Sequence, residues 1–479
     1  MRILVPIIIL GLLLAGCQSG SVIPPAPTGA LTQALTTAAP KADNPQEPAP
    51  VATQAVTRTP QSRLPVTAQE LRGVQLIFWH PWTGDLAKEL DASVEDFNRS
   101  NIWGITVQAV GQGSDNALET SLASALQANS APALIASPPE AIAQLQQTSS
   151  AFADLKQYYL DPQWGLDDQE IADFYPIFWQ EASVGDASYS MPVMRSIPVL
   201  FYNLTWAKAL GYDRPPVSLS DFRAQSCAAA KANRLSGIPD NYGTGGWIVD
   251  TSSPAVYSWL AAGGGIPNPL PLDVLPFNNA SSLATFTYLR KLLDDSCVWL
   301  SRNPTPAAYF AQRQALMYSG TLADLPAQVK SQAAQKSTDD WLILPYPSDS
   351  SIRPVLTSGP SLGILKSSRA EQLAAWLFIR WMTSPRQQAL FAASGYVLPV
   401  RKSALDQMTG FLNRNPQWSL ALRWLDSARP MPSQAWWVLA QRVLEDAAWQ
   451  VFQPFTTADK IPSILQQLDA TVTELLTNK

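Results

Sequence analysis

The sequence contains little histidine, cysteine and charge, and these shortages exclude several kinds of site. Of its 479 residues, one is a histidine (His80), three are cysteines and 15% are charged, with a net charge of −5. Too few soft ligands remain for a zinc or iron–sulfur centre, so no metal or cofactor is expected. No stripe of Lys and Arg offers the positive surface that a nucleic-acid partner requires, so that partner class is also excluded.

Aromatic residues are absent from the beginning of the chain. The sequence has 17 Trp, 13 Tyr and 15 Phe, yet none of them precedes Phe78. Because aromatic side chains contribute heavily to protein cores, the first 77 residues are predicted to lie outside the folded part. The remainder is long for one hydrophobic core, which favours two lobes.

The N-terminus has the pattern of an exported, lipid-modified protein. Arg2 precedes an apolar run, Ile3 to Leu14, that is too short to span a bilayer. The run ends in Leu14-Ala15-Gly16-Cys17, which resembles the bacterial lipobox. This pattern predicts a signal peptide over residues 1–16, cleavage before Cys17, and acyl chains on Cys17 that hold the protein at the membrane. An ordinary signal peptide with an unmodified Cys17 is the alternative.

Residues 17–69 are predicted to form a tether. Nine of the 40 prolines lie between Gln18 and Pro65, among Ala, Thr and Gln with little charge. Proline disfavours helix and sheet and favours extended polyproline II, which makes a semi-rigid spacer. A mucin-like stalk is the alternative for this segment.

The folded part begins with alternating strands and helices, which predicts a parallel sheet and an α/β lobe over about residues 70–190. The predicted elements are a strand at Val74 to Trp79, a helix at Asp85 to Asn98, a strand at Ile105 to Val110, a helix with Leu118, Leu122 and Leu126 on one face, a strand at Ala133 to Ala136, and a helix beginning at Pro138-Pro139-Glu140.

A second lobe with more helix follows, and the C-terminus is predicted to be helical. The strands predicted after residue 190 are Ile197 to Asn203, Ala315 to Tyr318, Trp341 to Leu344 and Leu362 to Leu365, and the predicted helices are Ser220 to Lys231, Asn279 to Asp295, Arg369 to Thr383, Gln417 to Ser427, Ser433 to Trp449 and Ile461 to Leu476.

Several short segments in order resemble the type 1 extracellular solute-binding proteins, the family of maltose and multiple-sugar receptors of ABC importers. They are Asp96-Phe97-Asn98, Met191-Pro192, Leu200-Phe201-Tyr202-Asn203, Leu210-Gly211-Tyr212, Gly263-Gly264-Gly265, Ala315-Leu316-Met317 with Ser319-Gly320, and Gly395-Tyr396 leading to Leu398-Pro399-Val400-Arg401. The resemblance runs from about Val74 to the end of the chain.

The resemblance implies an α/β, two-lobed periplasmic-binding-protein type II fold with hinge crossovers and a helical C-terminal part. The first lobe would comprise residues 70–193 plus 348–394, and the second 194–347 plus 395–479. The chain would cross between lobes near residues 191–196, 344–354 and 395–399.

By the same resemblance, the protein captures a mono- or oligosaccharide between its lobes and delivers it to the permease of an ABC transporter. We expect a monomer on the extracytoplasmic face of the cell membrane. Two alternatives stay open. One is a sugar-phosphate or glycerol-phosphodiester ligand clamped by Arg195 or Arg401, and the other is a surface carbohydrate-active enzyme or sensor subunit.

Sugars stack on aromatic rings and hydrogen-bond to polar groups, so both kinds of residue are expected in the cleft. The resemblance places these residues there: Trp79, His80, Trp82, Glu140, Trp247, Ser319, Gly320, Tyr396, Arg401 and Trp436. A core position for Trp79 is an equal alternative. Of the adjacent Trp436 and Trp437, one ring would pack inward, and the resemblance favours Trp436 for the cleft. Thr321-Leu322 stands where many sugar receptors have an aromatic residue, which favours a smaller ligand than a long maltodextrin.

Gly359-Pro360-Ser361-Leu362-Gly363 matches the nucleophile-elbow pattern of hydrolases. The elbow requires a helix directly after the serine, whereas strand is predicted here, and no histidine follows in the chain. The sequence therefore predicts no catalytic serine and no enzyme, although two glycosidase carboxylates cannot be recognised from spacing.

Cys227 and Cys297 remain after Cys17. Export places them in an oxidising compartment, and both are predicted to lie in helices of the second lobe, so we expect a disulfide between them. Two buried free thiols are the alternative.

Overall fold

The computed structural model of the chain describes residues 61–181, 183–184, 187–235, 244–267, 277–301, 305–351 and 353–477. The predicted signal peptide, Cys17 and most of the predicted tether lie outside these described residues.

The first part of the folded chain alternates strands and helices as predicted. Its elements are β1 (Gln75–His80), α1 (Gly84–Ser100), β2 (Thr106–Gly111), α2 (Asp115–Gln127), β3 (Leu134–Ser137), α3 (Pro139–Ser149), α4 (Lys156–Tyr159), α5 (Asp168–Asp173), α6 (Pro176–Gln180), β4 (Ser183–Val184), β5 (Ala187–Ser188) and β6 (Met191–Pro192).

The rest of the chain contains more helix. Its elements are β7 (Pro198–Asn203), α7 (Leu204–Ala209), α8 (Leu219–Leu235), β8 (Trp247–Ile248), α9 (Ser253–Ala262), α10 (Ala280–Asp294), β9 (Val298–Trp299), α11 (Pro306–Ala311), β10 (Met317–Thr321), α12 (Leu325–Ala334), β11 (Trp341–Leu344), β12 (Val355–Thr357), β13 (Ser361–Ile364), α13 (Arg369–Met382), α14 (Pro385–Gly395), α15 (Thr409–Arg414), α16 (Pro416–Ala421), β14 (Ala428–Pro430), α17 (Trp437–Val451) and α18 (Ile461–Thr477). Short 3-10 helices cover Leu322–Asp324, Lys402–Gln407, Leu422–Ser427 and Ala458–Lys460.

The first lobe is built on a five-stranded sheet in the order β2-β1-β3-β13-β6. β1 runs parallel to β2, with Gln75 opposite Thr106, and parallel to β3, with Phe78 opposite Leu134. The predicted parallel sheet is confirmed for these three strands. β13 and β6 complete the sheet in antiparallel pairings, because β13 belongs to a later pass of the chain through this lobe.

The second lobe is built on a separate five-stranded sheet in the order β11-β7-β10-β8-β9. The central strand β7 is entirely buried, which matches its continuous apolar sequence. It pairs antiparallel with both β10 and β11, whereas β8 pairs parallel with β10 and β9. The fold is therefore α/β with two lobes.

Segments that pass between the lobes lie side by side. Arg195 forms a bridge with Leu398, and Ser196 forms a bridge with Ser358. Gly359 next to them has a φ of +153°, and a Cβ atom there would lie 2.5 Å from the carbonyl oxygen of Met194. Only glycine allows this close approach of the two crossing segments.

The residues just after α14 pack on the first lobe, although the predicted boundaries assign them to the second. The backbone N–H of Tyr175 donates to the carbonyl oxygen of Val400 at 3.1 Å. Ser403 donates through its hydroxyl to Asp173 at 2.6 Å. The third crossing therefore contributes to the first lobe before the chain continues into α15.

Many of the tryptophan side chains lie in the hydrophobic core. Five Trp side chains are among the largest fully buried groups: Trp247, Trp259, Trp376, Trp418 and Trp437. Each buries a large apolar area, which contributes strongly to the hydrophobic stabilisation of both lobes.

Cys227 in α8 and Cys297 are joined by a disulfide. Cys297 lies between α10 and β9 rather than inside a helix, which corrects the predicted placement because α10 ends at Asp294. Within the described residues, no helix is both long and apolar enough to cross a membrane.

Candidate functional site

A cavity of about 470 Å³ lies between the two lobes, and we call it the cleft cavity. It is bounded by the loops that follow β1, β2 and β3, where open α/β sheets bind their ligands. The first-lobe residues in its wall are Pro81, Trp82, Leu86, Ser114, Asp115, Pro138, Pro139, Glu140, Glu181, Met194, Thr357, Ser358, Gly359 and Pro360, and the second-lobe residues are Pro254, Met431, Pro432, Trp437 and Gln441.

Trp82 forms an aromatic part of the wall directly after β1. Its indole ring is 9% exposed and stacks on the imidazole of His80, with the ring centres 5.4 Å apart. His80 is itself buried behind Trp82, and burial lowers its pKa, which keeps the imidazole neutral. His80 therefore supports Trp82 from behind, whereas the resemblance had implied a ligand-binding position.

Glu140 enters the cleft cavity from the first turn of α3. Pro139 occupies the first position of that helix, and Glu140 follows it, where a carboxylate is stabilised by the helix dipole. Burial nevertheless raises the pKa of Glu140 to about 7, assisted by the nearby charges of Glu181 and Asp115. The carboxyl group of Glu140 therefore titrates near neutral pH, and the side chain faces the space between the lobes.

Glu181 belongs to a buried ion pair at the back of the cavity. Its carboxylate accepts a hydrogen bond from Nε of Arg195 at 2.7 Å and another from the hydroxyl of Thr357 at 3.1 Å. Burial raises the pKa of Glu181, although Arg195 opposes that shift. The ion pair connects the residues after α6 to the first segment of the chain that passes between the lobes.

The second lobe contributes the opposite wall through α17 and the residues before it. Trp437, at the start of α17, is almost completely buried and lines the cavity, and Gln441 lies one turn further along the same helix. A second cavity of about 290 Å³ adjoins the first, and we call it the side cavity. It shares Asp115, Pro138, Glu140 and Gln441 with the cleft cavity, and its other residues are Asn116, Glu119, Ala141, Val438, Arg442 and Glu445.

Trp82 and Glu140 are the predicted cleft residues that the structure places in the cavity wall. Trp247 is instead fully buried in the second-lobe core, where its ring packs against Trp259 and its Nε1 donates to Ser319 at 3.2 Å. Ser319 is thereby engaged in the core as well. Gly320 lies against the ring of Phe201, which a Cβ atom would approach to 3.0 Å.

Four other predicted residues also lie away from the cavity wall. Trp79 is half-buried and packs on the cluster around Leu118. Tyr396 ends α14 with a φ of 51° and packs edge-on against Phe411. Trp436 packs in a second-lobe core cluster with its ring plane at 87° to that of Trp437, so the predicted choice between these two rings is reversed.

Arg401 is the fourth, and it is a structural residue of the first lobe. It is 2% exposed, its Nε donates to the carbonyl oxygen of Thr383 at 2.9 Å, and its guanidinium lies 3.9 Å from the ring centre of Phe174. These contacts hold the third crossing against α5 and α6 and leave Arg401 outside the cleft cavity.

Several residues of the wall were not predicted from the sequence. Asp115 lies in the first turn of α2, directly after Ser114, whose side chain accepts from the backbone N–H of Ala117. Glu181 and Thr357 carry no local pattern, because their approach depends on two distant segments. Trp437 was the less favoured of two adjacent rings, since helical periodicity alone does not orient neighbouring rings.

Two lobes joined by adjacent crossing segments, with a cavity at the carboxyl ends of the strands, define the class of two-lobed solute-binding proteins. The comparison of sequences then gives the family. The chain belongs to the bacterial extracellular solute-binding proteins, whose pattern it matches over residues 92–419.

Among characterised relatives, the chain is 24% identical to the sn-glycerol-3-phosphate-binding periplasmic protein UgpB of Escherichia coli O1:K1 over 375 residues, which are 74% of this chain and 81% of the relative. Its fold is similar to that of UgpB from Mycobacterium tuberculosis in complex with glycerophosphocholine, with a TM-score of 0.69, 18% identity, and coverage of 84% of this chain and 99% of the other. The cyclic alpha-maltosyl-1,6-maltose binding protein of Arthrobacter globiformis gives a TM-score of 0.68 at 18% identity, with coverage of 83% and 98%.

Proposed function

We propose that this chain is the membrane-anchored receptor of an ABC importer and that it captures a carbohydrate between its lobes. The observation that carries the proposal is the cleft cavity, which combines aromatic rings from both lobes with several hydrogen-bonding groups. Trp82 and Trp437 place aromatic rings in the wall, while Glu140 and Gln441 offer polar atoms. A sugar presents C–H faces and hydroxyls in the same way.

Closure of the lobes supplies both affinity and the signal to the permease. A ligand that touches both walls stabilises the closed arrangement by the difference between its contacts in the closed and open states. The permease then distinguishes the loaded receptor from the empty one by its closed form. The adjacent crossing segments at Arg195, Ser358 and Leu398 are the natural place for the hinge, because few main-chain segments have to bend there.

Anchoring by Cys17 keeps the receptor close to its permease. Lipid on this cysteine and the proline-rich tether that follows it would hold the two lobes on the extracytoplasmic face of the membrane. The tether is shorter than the predicted 17–69, because Val66 is buried in the hydrophobic core and the backbone N–H of Arg63 donates to Asp161 at 2.8 Å. A Cys17→Ser variant should be released from the membrane fraction, and retention of that variant would contradict the proposed anchor.

The receptor binds its solute without chemical change. Ser361, the serine of the hydrolase-like pattern, is fully buried in β13 and accepts a hydrogen bond from Arg195 at 3.1 Å. Its hydroxyl is thus committed to the first-lobe core. Recovery of an unmodified ligand after release is the expected result, and a shortened product would indicate an enzyme instead.

A phosphorylated ligand is the second candidate, and the similarity to UgpB favours it. The two arginines predicted to bind the phosphate do not face the cavity as unpaired cations. Arg195 is 0% exposed and bound to Glu181, and Arg401 lies in the first-lobe core.

Thermal unfolding of the full chain in detergent, measured against a panel of sugars and phosphorylated polyols, tests the proposal. We expect saturable stabilisation by an intact sugar, and we expect Gln441→Ala and Trp82→Ala to weaken it. Trp449→Ala is the matched control, because Trp449 lies on α17 with 54% of its surface exposed. Stabilisation by no sugar, or by phosphorylated polyols alone, would contradict a sugar receptor.

A further inference from the structure

The space between the lobes carries charge of one sign. Five carboxylates line the cleft cavity or the side cavity: Asp115, Glu119, Glu140, Glu181 and Glu445. Among the described residues in the two walls, Arg442 is the only cation, and it is exposed on α17. The excess of negative charge therefore faces whatever solute occupies the site.

Arg195 is close to the cleft cavity, pairs directly with one of these carboxylates, Glu181, and acts on a second, Glu140, only by its charge. Its side chain donates to Glu181, to the carbonyl oxygens of Met194 and Pro360 at 2.8 Å each, and to Ser361. These partners hold the guanidinium inside the first lobe. It is consequently saturated by protein groups and has no free face for an anionic solute.

The helix N-termini at the cavity do not make the charge of its wall positive either. α2 and α3 begin at the wall, and each helix N-terminus contributes roughly half a positive charge. Each end already has a carboxylate in its own first turn, namely Asp115 and Glu140. Above pH 7, where Glu140 is mostly ionised, the charge of each carboxylate exceeds the partial charge of its helix, so the wall is negative.

A negatively charged cavity that closes around a solute favours positively charged solutes over negatively charged ones. Between lobes that exclude water, unlike charges attract and like charges repel more strongly than in bulk solvent. A phosphate would meet Glu140 and Glu181 without a free cation to receive it. A protonated amine would instead relieve the repulsion among the carboxylates and add to the stacking offered by Trp82.

We propose that the solute of this receptor is a polyol bearing a protonated amine, in the manner of an amino sugar, and that Glu140 receives the amine. The inference rests on the proposed function and narrows its ligand class. It also separates this chain from relatives named for glycerol phosphate.

The acid–base behaviour of Glu140 supports the assignment. The charged groups around it are Asp115 on α2, Glu181 after α6, Arg195 on the first crossing, and Glu119, Arg442 and Glu445 in the side cavity. A bound cation favours the ionised carboxylate and would lower the pKa of Glu140 from about 7. If binding requires the ionised form, affinity for an amine that stays protonated over the whole range falls about tenfold between pH 8 and pH 6.

Titration calorimetry on the full chain, with matched sets of probes, tests the proposal. Each set contains an amino sugar, its N-acetylated counterpart, its parent neutral sugar and its phosphorylated counterpart, beginning with glucosamine, N-acetylglucosamine, glucose and glucose 6-phosphate. We expect an amine to bind at least about tenfold more tightly than its N-acetylated counterpart at pH 7 and low salt, where the amine is mostly protonated and Glu140 is about half ionised. We expect Glu140→Gln to remove that preference, and Glu95→Gln, which changes an exposed carboxylate on α1, to preserve it.

The possible failures are distinguishable. Tight binding of a neutral sugar with no preference for its amine would overturn the inference and leave the sugar receptor standing. Preferential binding of the phosphorylated members would overturn the inference and favour the second candidate function. Binding of no member of any set would contradict the inference and the proposed function together.

Discussion

Replacement of Glu140 by glutamine should stabilise the empty protein, and the gain should depend on pH. In the folded state, burial raises the pKa of this carboxyl from its ordinary value of 4.5 to about 7. The folded state therefore binds the proton more tightly than the unfolded chain between these two values. Stability attributable to Glu140 is present at low pH and is lost as the pH rises from about 4.5 through 7.

The size of the effect follows from the same two values. The gap between 4.5 and about 7 corresponds to a destabilisation of about 3 kcal/mol once Glu140 is ionised. This value is an upper bound, because the side chain retains part of its surface in the cavity. Glutamine has a similar shape and no charge, so Glu140→Gln should be more stable than the natural chain by up to about 3 kcal/mol at pH 8.5.

Urea unfolding at a series of pH values measures this difference directly. The two proteins should have equal stability near pH 4.5, and their curves should separate as the pH rises. Glu95→Gln serves as the control, because its exposed carboxylate should give a difference within about 0.5 kcal/mol at every pH. A Glu140→Gln difference that is the same at pH 4.5 and pH 8.5 would refute the reasoning about this residue.

Three further predictions concern the framework of the site. Arg195→Ala should lower the free energy of unfolding in urea by about 3–5 kcal/mol, because it leaves a buried carboxylate without its partner; a loss below about 1 kcal/mol would show that the pair is dispensable. Replacing both Cys227 and Cys297 by serine opens a link across a sequence separation of 70 and should cost about 4 kcal/mol by chain entropy, whereas an unchanged urea midpoint would contradict a structural role. Gly359→Ala should lower the melting temperature more than Gly113→Ala, because both have positive φ but only the former meets a main-chain atom; equal effects would argue against the close approach.

The early α/β part of the chain was predictable from local pattern. β1, β2 and β3 lie within one residue of the predicted strands at both ends. Their apolar runs and the periodic helices between them are signals that operate within about ten residues, and parallel pairing follows from the length of the connections. No local pattern shows that β13 and β6 join this sheet, because their pairing depends on a return of the chain after more than 150 residues, and only the resemblance assigned both segments to the first lobe.

Among the side chains expected in the cleft, some were placed correctly from the sequence and others were not. The resemblance implied cleft positions for Trp82 and Glu140, and both lie in the cavity wall because each follows the carboxyl end of a strand in the parallel part of the sheet. Trp247 and Trp436 were misplaced because an aromatic residue suits a core and a sugar site equally well. Arg401 was misplaced because a guanidinium near a hinge finds its partners in distant helices, here at Thr383 and Phe174.

The sequence by itself determined the absence of aromatic residues before Phe78, the order of the early strands and helices, and the resemblance to solute receptors, and it predicted export and lipid attachment at Cys17. These are properties of composition and of short segments. The tertiary structure alone decided which rings line the cavity and which charged side chains surround it. Both depend on the approach of residues separated by hundreds of positions, such as Glu140 and Gln441, and no local pattern encodes that distance.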